Sequence, residues 1–241
     1  MAQEIIIECR DLSKVYRMGD QEVYALRDMD LDIFKGEYLS VMGPSGSGKS
    51  TLFNMIGALD KPSSGTVSIA GADLTSQTSL QLAHFRNHHI GYVFQSFNLI
   101  PSLTAEKNVM LPLQFSGLDN AGCQERAVQV LEEVGLGNRT HHRPNELSGG
   151  QQQRVAIARA LAMEPTIILA DEPTANLDVK TGEDIIEMLR FLCDTHHVTV
   201  ITATHDHKML DKSDRILWIK DGQKDRLQNR EDLDIRIGHV G

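Results

Sequence analysis

The stretch YLSVMGPSGSGKSTLFNMIGAL, running from Tyr38 to Leu59, limits the possible folds more than any other part of the chain. Its first five residues are apolar enough for a strand buried on both faces. A glycine-rich turn follows, and Lys49 then opens a helix expected to reach about Ala58. Gly43, Pro44, Ser45, Gly46, Ser47, Gly48, Lys49 and Ser50 fit the pattern G-x-x-x-x-G-K-[ST] in a strand–loop–helix setting, with Thr51 directly after. Glycines let backbone N–H groups turn inward around a phosphate. Lys49 reaches the β- and γ-phosphates, and the Ser50 hydroxyl meets Mg²⁺. A plain glycine turn with an incidental lysine would not need that setting. The expected ligand is a nucleoside triphosphate.

The remaining apolar periodicity supplies a fold around this loop. The opening third alternates apolar and polar residues and reads as an antiparallel sheet. SSGTVSIAGADL reads as a short strand pair with Gly65 and Gly71 at turns, and 90–94 as another apolar strand ending at Gln95. From Pro101 to Gly137 the period becomes helical, with Ala127, Val130, Leu131 and Val134 on one face. A helix opened by Ser148 extends to about Met163. Near-continuous apolar strands at 166–170, 198–202 and 216–219 are separated by helices at 181–194 and 207–210. Buried strands alternating with helices predict an α/β fold with a mainly parallel sheet. The expected organisation is one domain over 1–241, with core segments 1–96 and 161–241 and an inserted helical lobe at 97–160.

Two further features carry chemistry. TIILADEP ends a buried strand with Asp171 and Glu172 at its carboxyl edge, where α/β folds place ligands. Asp171 would hold Mg²⁺, usually through water, and Glu172 would polarise an attacking water. A second strand end, VTVITATHD, brings His205 within reach of a γ-phosphate. The pairs His88-His89, His141-His142 and His196-His197 have neither the i, i+4 spacing nor the cysteine companions of a zinc site. They read as solvated surface residues. LSGGQ at 147–151 is more puzzling. Ser148, Gly149 and Gly150 open a helix, and a helix start rich in small residues can bind an anion. The chain therefore offers two phosphate-seeking helix starts a hundred residues apart.

Composition removes several alternatives. Lys and Arg number 24 against 33 Asp and Glu, a net charge of −9, which argues against non-specific nucleic-acid binding or a polybasic membrane anchor. Cys9, Cys123 and Cys193 stand far apart and read as reduced, packed residues of a cytosolic protein. No signal peptide is read at the start, and the longest uncharged span, 88–105, is broken by Gln95, Asn98 and Pro101. Any membrane role is expected to run through a partner.

Together these motifs resemble the nucleotide-binding subunit of ABC transporters, a P-loop NTPase fold with an N-terminal antiparallel β subdomain and an inserted helical lobe. The resemblance covers nearly the whole chain, with the motifs in family order. It makes GPSGSGKST the Walker A loop, Gln95 in YVFQS the Q-loop glutamine that contacts Mg²⁺ or its water, and LSGGQ the signature, including Gln151. IILADE becomes Walker B with its glutamate, NLD at 176–178 the D-loop with Asp178, and His205 the switch histidine. Tyr16 matches the aromatic residue that stacks on adenine. The resemblance implies ATP and Mg²⁺, with two subunits facing head to tail and each ATP lying between one Walker A and the other LSGGQ.

FQSFNLIPSLTAEKNVMLPL and the run from LSGGQ to NLD look like the macrolide-exporter and lipoprotein-releasing branch, the MacB and LolD types. Ala175 departs from the glycine frequent there but supplies no functional side chain in either form. The branch implies an integral permease docking near 95–101 and the helical lobe, at the cytoplasmic face of the inner membrane. It also includes a cell-division relative. Two rival readings remain, a soluble ABC protein acting on DNA or ribosomes and a cassette that senses ATP without hydrolysing it. The single cassette and acidic balance weigh against the first. The presence of Lys49, Gln95, Asp171, Glu172 and His205 weighs against the second.

Overall fold

A computed structural model describes residues 3–19, 21–205 and 207–232. Two long strands open the chain, β1 (Ile5–Met18) and β2 (Gln21–Phe34), paired antiparallel. Then come β3 (Tyr38–Met42), helix α1 (Lys49–Ile56), β4 (Ser64–Ile69) and the two-residue β5 (Ala72–Asp73). Helix α2 (Ser79–His89) leads into β6 (Ile90–Val93). Three helices follow, α3 (Ala105–Leu113), α4 (Asn120–Glu133) and α5 (Gly149–Leu161). The last third is β7 (Ile167–Asp171), α6 (Val179–His196), β8 (Thr199–Ala203), β9 (Arg215–Lys220) and β10 (Gln223–Asn229).

The strands form two sheets. One is antiparallel, in the order β2-β1-β4-β5. The other runs β10-β9-β3-β8-β7-β6 and is parallel except for the β9–β10 hairpin at its edge. Every residue of β3 and β8 is buried, which explains their near-continuous apolar sequences. The sheet register sets the site. Asp171 pairs with Ala203, and β3 runs parallel beside β8, so the ends of β3, β7 and β8 open on one edge.

Among the described residues two large apolar clusters fill most of the interior, and a small third one gathers Met42, Leu210 and Ile216. One joins the antiparallel sheet, α1 and α2 to one face of the parallel sheet. The other joins α3, α4, α5 and α6 to its opposite face. The helical lobe therefore shares a core with the sheet. Gly91 in β6 permits the closest approach of α5, since a Cβ there would meet the Ala160 carbonyl oxygen at 2.5 Å. All three cysteines are buried and unpaired. Burial pushes the Cys9 thiol up to about 12 and Cys193 up to about 11, so neither forms a thiolate near neutral pH.

Several local expectations change. The 79–89 segment is a helix, capped reciprocally by Thr78 and Gln81. The helix expected at 207–210 is a 3₁₀ turn, His207–Lys212. β10, an unforeseen strand, closes the sheet edge. The 233–241 part of the C-terminal tail lies outside the described residues.

Candidate functional site

A cavity of about 520 Å³ opens at the carboxyl edge of the parallel sheet. Gly48 starts the geometry. Its φ of 111° is a left-handed conformation, and a Cβ there would meet the Ala25 carbonyl oxygen at 2.6 Å. Only glycine fits, and it turns the chain from loop into α1. The β9–β10 turn braces the loop from behind, with the Gly222 N–H donating to the Ser47 carbonyl at 2.9 Å. Lys49 is nearly buried, and its ammonium donates to the carbonyls of Gly43 at 2.7 Å and Pro44 at 3.0 Å. An ammonium has three N–H donors, so one remains for a ligand. Gly43, Pro44, Ser45, Gly46, Gly48, Ser50 and Thr51 line the cavity with Lys49, while the buried Ser47 side chain does not.

The facing wall is acidic. Asp171 and Glu172 both line the cavity, with Gln95 and His205. Glu172 has φ 46°, a left-handed conformation uncommon for a side chain of this size, and its N–H donates to the Ala203 carbonyl at 2.8 Å. That bond to β8 holds the strained residue and fixes the backbone from which the carboxylate enters the cavity lining. The Glu172 Oε1 stands 3.3 Å from the His205 Nδ1. Burial, then the neighbouring Glu172 charge, raises the Asp171 pKa, and Lys49 partly offsets them.

The Asp171 shift has a stability consequence of definite sign. A carboxyl whose folded pKa is raised loses stability for the native state as pH rises above its ordinary value of 3.8. Asp171→Asn is therefore expected to raise the Tm of the ligand-free protein at pH 7. The gain should disappear as the pH falls below 3.8. Thermal melts at both pH values check this, and an unchanged or lower Tm at pH 7 contradicts it. Such a cost in stability is common where a residue is placed for function.

The other motif residues lie outside this cavity. Tyr16 is exposed on β1, its hydroxyl donating to Asp60 at 3.2 Å with Thr51 as a hydrogen-bond neighbour, so it sits beside the loop's last residue. Ser148 caps α5 by accepting from the Gln151 N–H at 3.3 Å, and the Gln151 side chain accepts from the Ser148 N–H at 3.0 Å. Gly149 and Gly150 are the first two residues of that helix. Asp178 caps α6, accepting from the N–H of Thr181 at 3.1 Å and from its hydroxyl at 2.6 Å. One chain thus gathers Gln95, Asp171, Glu172 and His205 around its own loop, with Tyr16 beside it, while the signature and Asp178 lie outside the cavity.

Sequence reading missed the polar residues that hold these pieces. Gln153 is fully buried and donates to the Pro173 carbonyl at 2.8 Å, directly after Glu172. Asn176 donates to the Gln95 carbonyl at 2.9 Å. Asn108 accepts from the Ile100 N–H and donates to the carbonyls of Ile100, Leu103 and Thr104. No period marks such residues, and each works on backbone far away in sequence. Among histidines the reading overlooked His84, which stacks on His88 one turn later, so one i, i+4 pair does exist. No group of three or more metal-ligating side chains occurs among the described residues.

A larger cavity, about 790 Å³, lies at the other end of the parallel sheet. Its Arg215 is held by Glu37 at 2.5 Å and its Arg190 by Asp214 at 3.0 Å, so these charges are already paired. The phosphate-shaped chemistry is at the smaller one.

Comparison with known proteins agrees with this geometry. Residues 26–175, well over half the chain, match the family model described as ABC transporter. The chain is similar to the lipoprotein-releasing system ATP-binding protein LolD of Shewanella oneidensis, 46% identical over 91% of this chain and 96% of that protein. It is also similar to the macrolide export ATP-binding/permease protein MacB of Rhodopirellula baltica, 48% identical over 90% of this chain but only 32% of that longer protein. A solved structure of the ATP-binding cassette MJ0796 of Methanocaldococcus jannaschii, a dimer in a post-hydrolysis state bound to ADP and Pi, matches with a TM-score of 0.86. The identity there is 45%, over 93% of this chain and 99% of that one. The chain belongs to the ABC transporter family and is one of its ATP-hydrolysing cassettes.

Proposed function

We propose that two copies of this chain face head to tail around two ATP molecules and drive an integral membrane partner of the lipoprotein-releasing or macrolide-export type. One observation carries the reading. The cavity gathers the loop 43–51, Gln95, Asp171, Glu172 and His205, yet α5 offers its small-residue start elsewhere. A two-fold dimer supplies that start from the second copy, since an isologous interface presents each patch to the other. The dimeric relative bound to ADP and Pi supports this arrangement.

In this reading the loop amides and the remaining Lys49 N–H hold the β- and γ-phosphates, and Tyr16 stacks on adenine. Asp178 stands at the interface between the copies. The oxygen donors of Ser50, Gln95 and Asp171 suit Mg²⁺, a hard cation that prefers such ligands. The raised Asp171 pKa fits as well, because a carboxyl penalised by burial and by Glu172 gains from a nearby cation. When bound, Mg²⁺ would neutralise phosphate charge. Glu172 takes the proton of the attacking water, and His205 orients that carboxylate and the γ-phosphate. Ser148 and the N–H groups of Gly149 and Gly150 contact the γ-phosphate of the ATP held by the other copy. ADP lacks that group, so hydrolysis releases the dimer.

The permease docks beside the Q-loop, at the cytoplasmic face of the inner membrane. Among the described residues no helix is long and apolar enough to cross a membrane, so this contact would provide the attachment. A groove of about 230 Å³ between the sheet edge and the lobe is lined by Tyr92, Phe94, Asn98, Pro112 and Met163, among others. Of the segment 95–101, where docking was expected, only Asn98 lines this groove. Leu99 packs against the lobe core, Ile100 is exposed, and the Phe97 ring reaches toward Gly149. Phe94 belongs to neither large core cluster and stacks on Tyr92. Phe94→Asp is therefore expected to uncouple the partner while Tm and partner-free ATPase activity stay near parental values. Leu99→Asp instead buries a charge and should lower Tm by several degrees. Membrane co-fractionation with the co-expressed permease, beside thermal melts, reads both. Retained association by a folded Phe94→Asp would rule out this groove.

A further inference from the structure

The Q-loop is held in an uncommon conformation by one side chain on the signature helix. Phe97 and Asn98 are consecutive left-handed residues, with φ 60° and 49°. Asparagine tolerates this region, whereas a phenylalanine there needs an external cause. The carbonyls of this turn reveal it. The Phe94 carbonyl accepts from the Phe97 N–H and the Ser96 carbonyl from the Asn98 N–H, closing the turn internally. The Gln95 carbonyl accepts from Asn176. The two left-handed residues themselves are bound from outside. Arg159 Nη2 donates to the Phe97 carbonyl at 2.9 Å and Nη1 to the Asn98 carbonyl at 2.6 Å. A planar guanidinium fork suits two adjacent acceptors, and a lysine ammonium does not reproduce it.

Arg159 is half-buried, and burial lowers its pKa. Among the described residues no carboxylate forms an ion pair with it, so its donors are directed to the loop. Its place on α5 matters as much as its bonds. It stands ten residues after Gly149, roughly 15 Å along the helix axis. The Phe97 ring tip lies beside Gly149 at the other end, 3.8 Å from where a Cβ would stand. The Q-loop turn therefore touches the helix near its start and near its end.

We infer that Arg159 is a positioning residue for Gln95, holding the left-handed Phe97–Asn98 turn that aims this glutamine into the phosphate cavity. It makes the position of Gln95 follow the position of α5. The signature engaged in one composite site and the glutamine serving the other then move as one body. Coupling between the two ATP sites follows from this single fork. The inference rests on the proposed role of Gln95 toward Mg²⁺.

The test uses ATP-binding titrations in a Glu172→Gln background, which stops turnover while affinity is measured. Arg159→Lys should leave the affinity for ATP in EDTA within about twofold of the parent, and should raise the Mg²⁺ concentration for half-maximal tightening about tenfold, the scale for disturbing a supporting contact of a metal ligand. Asn176→Ala, which removes the donor to the Gln95 carbonyl from the other side, should shift the Mg²⁺ dependence in the same direction. Asn176 also supplies the test should the arginine variant fail to fold. A purely structural role would lower Tm and leave the Mg²⁺ dependence of both variants at the parental value, which overturns the inference. Equal loss of affinity with and without Mg²⁺ also overturns it. A parent that binds ATP neither in EDTA nor with saturating Mg²⁺ would refute the nucleotide cavity itself, and the inference with it.

Discussion

Glu172→Gln is expected to lower ATP turnover by roughly two to four decades while ATP binding persists, the usual effect of removing a positioned acid–base group. The amide keeps the size of the carboxylate but cannot accept the proton of an attacking water. Nothing in the loop depends on Glu172. Lys49 is seated by the carbonyls of Gly43 and Pro44, and the loop is braced by Gly222. The Glu172 backbone stays fixed by its bond to Ala203, so the strained conformation survives the change. Binding without turnover should trap an ATP-bound dimer. Rates under single-turnover conditions, read beside dimer content by size-exclusion chromatography, check both halves. Near-normal hydrolysis would remove Glu172 from the catalytic role.

Ser148→Arg is expected to reduce hydrolysis to background while the monomer binds ATP as the parent does. Ser148 is exposed and lies outside its own chain's cavity. The substitution removes an N-cap, a loss of about 1 kcal/mol. The helix behind it is anchored by Val155, Ala156, Ile157 and Ala158, all fully buried, so the fold tolerates that loss. What it does not tolerate is bulk at the face that should close on a second copy. ATP affinity of the monomer by calorimetry, beside steady-state hydrolysis, separates the two effects. Lost affinity in the isolated monomer would place the signature in its own chain's site and refute the two-copy reading.

The sequence carried some of these features plainly and others not at all, for physical reasons. The phosphate loop was legible because glycine, lysine and hydroxyl residues at fixed spacing have few other uses between a strand and a helix. β3 and β8 were legible because burial on both faces leaves near-continuous apolar runs. Helix α2 was missed because it buries only Leu82 and Phe85, too few for an apolar stripe. Its Thr78–Gln81 capping box was the available signal. β10 was missed because six of its seven residues are charged or polar and it buries none, as an edge strand can. The conformations of Glu172, Phe97 and Asn98 are set by bonds to Ala203 and Arg159, and no local sequence rule reports those.

If each catalytic site is built from two copies of this chain, mixing two inactive variants should restore activity. Lys49→Ala removes the point charge that holds the phosphates, and Ser148→Arg blocks the signature. A mixed dimer has one site carrying both changes and one free of both. Equal mixing makes half the dimers mixed, with one of two sites intact, so up to about a quarter of parental ATPase activity should return. Each variant alone should remain at background. A mixture in which mixed dimers form and yet hydrolyse ATP no faster than the separate variants would contradict shared sites.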